Sequence, residues 1–156
     1  PPFNSVTGQY LPYDQDNLYW GKVFAAWPPI YVAWGSAILL LLFVYVWATA
    51  AFGLRFSNLT NRGIITNGPY RWTKHPAYLC KNLSWWLISV PFVAGAGWQQ
   101  AVQSCLLLGG VNLIYFLRAR TEERHLGRDP VYRDYAQFVA RDGLFARISR
   151  QRARAA

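Results

Sequence analysis

Apolar residues gather in three long blocks along the chain, parted by two polar ones. The first block, IYVAWGSAILLLLFVYVWATAAFGL from Ile30 to Leu54, contains no charged residue. At about 1.5 Å per helical residue it is longer than the roughly 30 Å hydrocarbon core of a bilayer, so it predicts a transmembrane helix. A second block follows Pro76, a residue tolerated in the first turn of a helix because the N–H it lacks has no partner there. A helix from Pro76 to about Val93 just crosses the core if Lys81 turns its ammonium back to the interface, with a kink expected at Pro91. The stretch AGAGWQQ then reads as a tight uncharged turn with Trp98 as an interfacial anchor. AVQSCLLLGGVNLIYFL, from Ala101 to Leu117, predicts a third helix that returns to the original side. Within it, Gly109 and Gly110 would admit the close approach of a neighbouring backbone. The pattern therefore predicts an all-α polytopic membrane protein with about three transmembrane helices, two of them forming a hairpin, and a cytoplasmic helical tail.

Composition agrees with a bilayer. Hydrophobic residues make up 53% and charged residues only 15%, a balance unusual for a protein bathed in water. The chain opens on Pro1-Pro2 and contains no Met, which reads as a fragment or trimmed product. Residues 1–29, rich in Pro, Tyr, Asn and Gly, read as a non-cytoplasmic or interfacial segment. Residues 30–144 form the expected membrane domain, and residues 145–156 a basic tail without regular structure. No acidic residue lies between Asp16 and Glu122, and the net charge is +9. Beside long apolar runs this basicity fits a cytoplasmic membrane surface, not nucleic acid. Arg55, Arg62, Arg71, Lys74 and Lys81 assign the first polar connection to the cytoplasm, together with the arginine-rich tail. That orientation leaves the N-terminal segment and the Trp98 turn outside. Cys80 and Cys105 lack metal-ligand spacing and read as packing thiols. No metal is expected, and no signal peptide precedes the first apolar run.

The hairpin has a chemical consequence. It returns NGPYRWTKHPAYLCKN, at its entry, and FLRARTEERHL, at its exit, to the same face of the membrane. Taken singly these elements are bland: NGP is first a turn, and His75 before Pro76 is held toward extended backbone. Glu122 and Glu123 carry more weight as the first acids after a long acid-free stretch. An i,i+4 pair between Arg118 and Glu122 is worth only about 0.2–0.5 kcal/mol. A cationic or polyhydroxylated ligand would give adjacent carboxylates at a membrane rim a purpose.

GPYRWTKHPAY, followed after a hairpin by RARTEE and then YRDY, closely resembles the integral-membrane methyltransferases. That superfamily includes isoprenylcysteine carboxyl methyltransferases and phospholipid N-methyltransferases. The likeness runs from about Phe52 to Phe138, and the R-x-R-T-E-E form is nearer the carboxyl methyltransferase branch. It implies S-adenosylmethionine as cofactor, held on the cytoplasmic side. By motif position, the implied cofactor contacts are Gly63, Ile64, Ile65, Tyr70, His75, Pro76, Ala77, Tyr78, Glu122 and Glu123. Arg118 takes the place of the family's substrate-side arginine, so Arg118 and Glu122 are the implied catalytic pair. Leu79 stands where Gly is common in the family, and Arg62-Gly63 where a His often precedes the apolar pair. The implied partners are the lipid bilayer and a lipophilic or prenylated acceptor. The alternatives are a phospholipid N-methyltransferase, a membrane reductase using a nicotinamide cofactor, and a non-catalytic membrane subunit.

Overall fold

The computed structural model describes residues 19–53, 64–93 and 97–155, and every regular element among them is helical. In order these are α1 (Trp20–Val23), α2 (Pro28–Phe52), a 3-10 turn (Gly68–Arg71), α3 (Pro76–Ser89), α4 (Trp98–Leu126), α5 (Pro130–Asp142) and α6 (Leu144–Ala155).

Two described helices, α2 with 25 residues and α4 with 29, are long and apolar enough to cross a membrane. Their apolar side chains are turned outward: Leu39 is 69% and Leu106 70% exposed. In water such a surface would drive aggregation; in lipid it is the natural exterior. Helix α4 runs nine residues past the expected end at Leu117. Nothing in RARTEERHL breaks a helix until Gly127, whose N–H caps the Glu123 carbonyl at 2.8 Å. The carboxylate pair therefore belongs to the same helix as the apolar segment.

Helix α3 departs from expectation. It ends at Ser89 after 14 residues, about 21 Å at helical rise and shorter than a hydrocarbon core. Val90, fully buried, turns to a φ of 42°, and Pro91 has no N–H with which to resume the ladder. The expected continuation to Val93 with a kink is thus a termination. The last segment also differs: an irregular tail is expected over residues 145–156, whereas α6 covers Leu144–Ala155. Arg and Ala, which dominate it, are among the best helix formers.

Contacts divide the chain into two compact units, Pro1–Leu42 with Lys81–Phe116, and Phe43–Cys80 with Leu117–Ala156. In the first, Trp34 donates its indole N–H to the Leu87 carbonyl at 2.8 Å, and Leu108 and Ser104 are buried. Lys81 finds its partners inside this unit: Nζ donates to the Tyr115 hydroxyl at 3.1 Å and lies 4.9 Å from the Trp85 ring centre. Its ammonium thus lies against two aromatic rings of this unit, those of Trp85 and Tyr115. A Cβ built on Gly109 or Gly110 would meet nothing within 4 Å. The close backbone approach expected there is absent among the described residues.

Candidate active site at the polar end of the second unit

The second unit is built around the NGPYRWTKHPAY stretch. Gly68 has a φ of +56°, and a Cβ there would stand 3.4 Å from the Trp47 ring, so glycine answers both a backbone and a space requirement. Tyr70 packs its ring near Phe52 and directs its hydroxyl to the Ala48 carbonyl at 3.4 Å. The turn is gripped from the C-terminal side as well. The Tyr135 hydroxyl of α5 donates to the Tyr70 carbonyl at 2.8 Å, and the Leu144 N–H donates to the Trp72 carbonyl at 2.9 Å. Gly143 permits that second contact, because a Cβ on it would lie 2.9 Å from the Trp72 oxygen. Helix α5 is itself fixed by Asp129, whose carboxylate accepts from the Val131 N–H at 2.8 Å, with Pro130 at the first position.

Held this way, the turn delivers His75 and Tyr78 to the two acids of α4. Tyr78 donates its hydroxyl to Glu122 Oε1 at 2.7 Å. Arg118, one turn back, donates Nε–H to the same oxygen at 3.3 Å. Its guanidinium also sits 5.9 Å from the Tyr78 ring centre. Glu123 Oε1 receives the Lys74 ammonium at 2.7 Å and lies 3.2 Å from His75 Nε2. The His75 ring stacks on Tyr78 at 5.7 Å and 9°.

Burial pulls the His75 pKa below its ordinary value, and the nearby Glu123 and Glu122 carboxylates only partly oppose it. A neutral imidazole has one N–H, and the Glu123 oxygen is an acceptor, so we assign the proton to Nε2. Nδ1 then faces Glu122 Oε2 at 3.9 Å with a lone pair and makes no hydrogen bond to it. Burial, with a contribution from Glu122, pushes the Tyr70 phenol up to about 12.

Glu122, whose side chain is 19% exposed, faces the cluster with its Oε2 3.9 Å from His75 Nδ1. One buried polar atom in this cluster lacks a hydrogen-bond partner among the described residues. That atom is the hydroxyl of Tyr132, a residue 6% exposed overall. Burial raises the Tyr132 phenol to about 12, with help from the negative charges of Glu123 and Glu122. Its ring meets Tyr135 edge-on at 6.0 Å. A buried hydroxyl without a partner costs about 1–3 kcal/mol, which a bridging water or a ligand's polar group would offset.

The structure thus brings Tyr70, His75, Tyr78, Arg118, Glu122 and Glu123 into one unit. Pro76 opens α3 and is buried, with Ala77 beside it. Ile64 and Ile65 are half-buried residues ahead of the turn, and Gly63 lies outside the described residues. Lys74, Tyr132 and Tyr135 were not singled out from the sequence as site residues. The signal for the tyrosines was their i,i+3 spacing in YRDY, which puts both on one face of a helix. Among the described residues no three His, Cys, Asp or Glu side chains converge as metal ligands.

The profile of the isoprenylcysteine carboxyl methyltransferase family matches residues 30–128, more than half of the chain. Among curated proteins and among solved structures, none matches it.

Proposed function

The chain belongs to the isoprenylcysteine carboxyl methyltransferase family, and from that premise we propose that it methylates the carboxylate of a lipophilic or lipid-anchored acceptor, using S-adenosylmethionine. The observation that carries this reading is the seating of the carboxylate pair. Tyr78 and His75, from one family motif, hold Glu122 and Glu123 from the other at 2.7 and 3.2 Å. The donor set suits such a cofactor. An aminoacyl nucleoside sulfonium carries an ammonium, ribose hydroxyls and a carboxylate. Glu122 Oε2 can accept from the ammonium or a hydroxyl, and the Tyr132 hydroxyl can donate or accept. The first turn of α3, at Ala77 and Tyr78, is the positive end of a helix and favours the carboxylate.

When bound, S-adenosylmethionine supplies a methyl group already activated on sulfur. The protein's task is then to orient the partners and exclude water, since positioning alone can contribute many orders of magnitude to rate. Tyr78 and Arg118 fix Glu122 through its Oε1, and Oε2 is the oxygen assigned to the ligand. Lys74 and His75 occupy Glu123, which makes Glu123 a positioning residue that locks the turn to α4. Arg118, half-exposed at the edge of the cluster, is the group assigned to the acceptor carboxylate, which a guanidinium holds through paired N–H bonds.

The Arg118–Glu122 contact at 3.3 Å favours a second reading of the acceptor alone. In it Arg118 only orients Glu122, and the acceptor is a phospholipid amine. Transfer of a labelled methyl group to a panel of prenylated carboxylates and phospholipid amines separates the two when run on Arg118→Lys. On the carboxylate reading turnover falls about ten- to hundredfold, the loss expected for one charge-assisted bond, while cofactor affinity is kept. Parallel loss of cofactor affinity, with amines methylated, selects the second reading.

A further inference from the structure

Helix α6 offers a surface that methyl transfer does not use. Its sequence, LFARISRQRARA, has four arginines and no acid. At about 100° per residue, Leu144, Phe145 and Ile148 share one arc, and Arg147, Arg150 and Arg154 fall on the other side. The arc is uncovered: Leu144 is 44%, Phe145 60% and Ile148 40% exposed. Arg152 interrupts the arc one turn later, where an arginine stem can lie along apolar surface while its head reaches outward.

The start of α6 is tied to an aromatic marker of depth. Its first N–H bonds to the carbonyl of Trp72, whose half-exposed ring meets Trp47 edge-on at 5.8 Å. Trp47 lies in the last two turns of α2, a helix apolar enough to cross a membrane. Tryptophans at the end of such a helix sit at the headgroup level. The exit angle is fixed too. Arg147 donates to the Asp142 carbonyl at 2.8 Å, and Arg150 donates to the Arg141 carbonyl at 2.6 Å and pairs with Asp142 at 3.4 Å.

We propose that α6 is an in-plane anchor that lays its apolar arc into an anionic phospholipid leaflet of the membrane its own chain occupies. The occupant is chosen by complementarity: a cationic, acid-free helix with an apolar stripe, fixed beside interfacial tryptophans, matches acidic headgroups over acyl chains. The inference rests on the membrane reading and is independent of the methyl-transfer reading.

The full chain is placed in lipid discs of phosphatidylcholine alone and of phosphatidylcholine with phosphatidylglycerol, and amide exchange is followed over residues 144–155. Exchange should slow at least about tenfold in the anionic discs, in line with several arginines each adding to surface attraction. Near-molar salt should remove the difference. Arg152→Gln with Arg154→Gln, which spares the arginines bonded to α5, should shrink the lipid dependence. Phe145→Ser should speed exchange in both kinds of disc. Equal exchange in both lipids, or protection that appears only on adding an oligonucleotide, would overturn the proposal. Methyl transfer is not read in this experiment, so its outcome leaves the proposed reaction untouched.

Discussion

Tyr78 donates its hydroxyl to Glu122 across 2.7 Å, joining residues 44 positions apart in the chain. The contact ties the His-Pro motif at the start of α3 to the acidic pair far along α4. It is one of two bonds that Glu122 Oε1 accepts, the other coming from Arg118 at 3.3 Å.

Glu122→Gln keeps an acceptor for Tyr78 and removes the charge. Affinity for S-adenosylhomocysteine should fall at least about tenfold, the loss of one charge-assisted bond. Thermal stability without ligand should stay near that of the parent, because the pair with Arg118 is a half-exposed helix pair of small worth. Calorimetric titration and a melting curve on the same sample check both halves. Retained affinity with a collapsed melting temperature would make the acid structural.

The two tyrosines of YRDY should separate by role. Tyr132→Phe removes a buried hydroxyl that no group among the described residues satisfies, so the ligand-free protein should hold or gain stability, while S-adenosylhomocysteine binding weakens about two- to tenfold. Tyr135→Phe instead removes the bond to the Tyr70 carbonyl and leaves that carbonyl short of a donor. It should lower stability by about 1–3 kcal/mol. Paired melting and titration experiments distinguish them.

His75 sets a pH dependence of known sign. Its folded pKa lies below the ordinary value of 6.5, so the unfolded chain takes up the proton first as pH falls. Stability should therefore be full above about pH 6.5 and decline below it. The contribution should vanish in His75→Asn. Melting temperatures measured from neutral to mildly acidic pH in the two proteins test this, and a flat profile in the parent would contradict it.

Orientation is tested with single cysteines. In a background lacking Cys80 and Cys105, a cysteine replacing Gln99 should react with an impermeant reagent only from outside, and one replacing Gln137 only from inside. The warrant is the concentration of Arg and Lys in the connections assigned to the cytoplasm. Labelling of both from the same face would contradict the topology.

The candidate cluster was partly legible because most of its residues sit in two contiguous motifs, GPYRWTKHPAY and RARTEE, which the Tyr78–Glu122 bond joins. Hydropathy alone marked α2 and the apolar part of α4, and charge marked Glu122 and Glu123 as unusual. The end of α3 was less legible: Pro91 announced a disturbance, but the inversion of φ at the buried Val90 depends on tertiary packing. The continuation of α4 to Leu126 was hidden by the change from apolar to charged residues, which alters what a helix touches without ending it. The partners of Lys81 could not be read from spacing, since Trp85 is a neighbour on its own helix but Tyr115 comes from another. Tyr132 was visible in YRDY, yet its unmet hydroxyl is a property of packing, and no sequence pattern reports it.

The central claim is that Glu122 and its neighbours form a site for an aminoacyl nucleoside sulfonium. Isothermal titration of the detergent-solubilised chain with S-adenosylhomocysteine, and separately with NADPH, tests it most directly. Saturable binding of S-adenosylhomocysteine to the parent is expected, weakened at least about tenfold in Glu122→Gln, with no binding of NADPH. Binding of NADPH in its place would make the chain a reductase, and binding of neither would make it a non-catalytic subunit; either result contradicts the account.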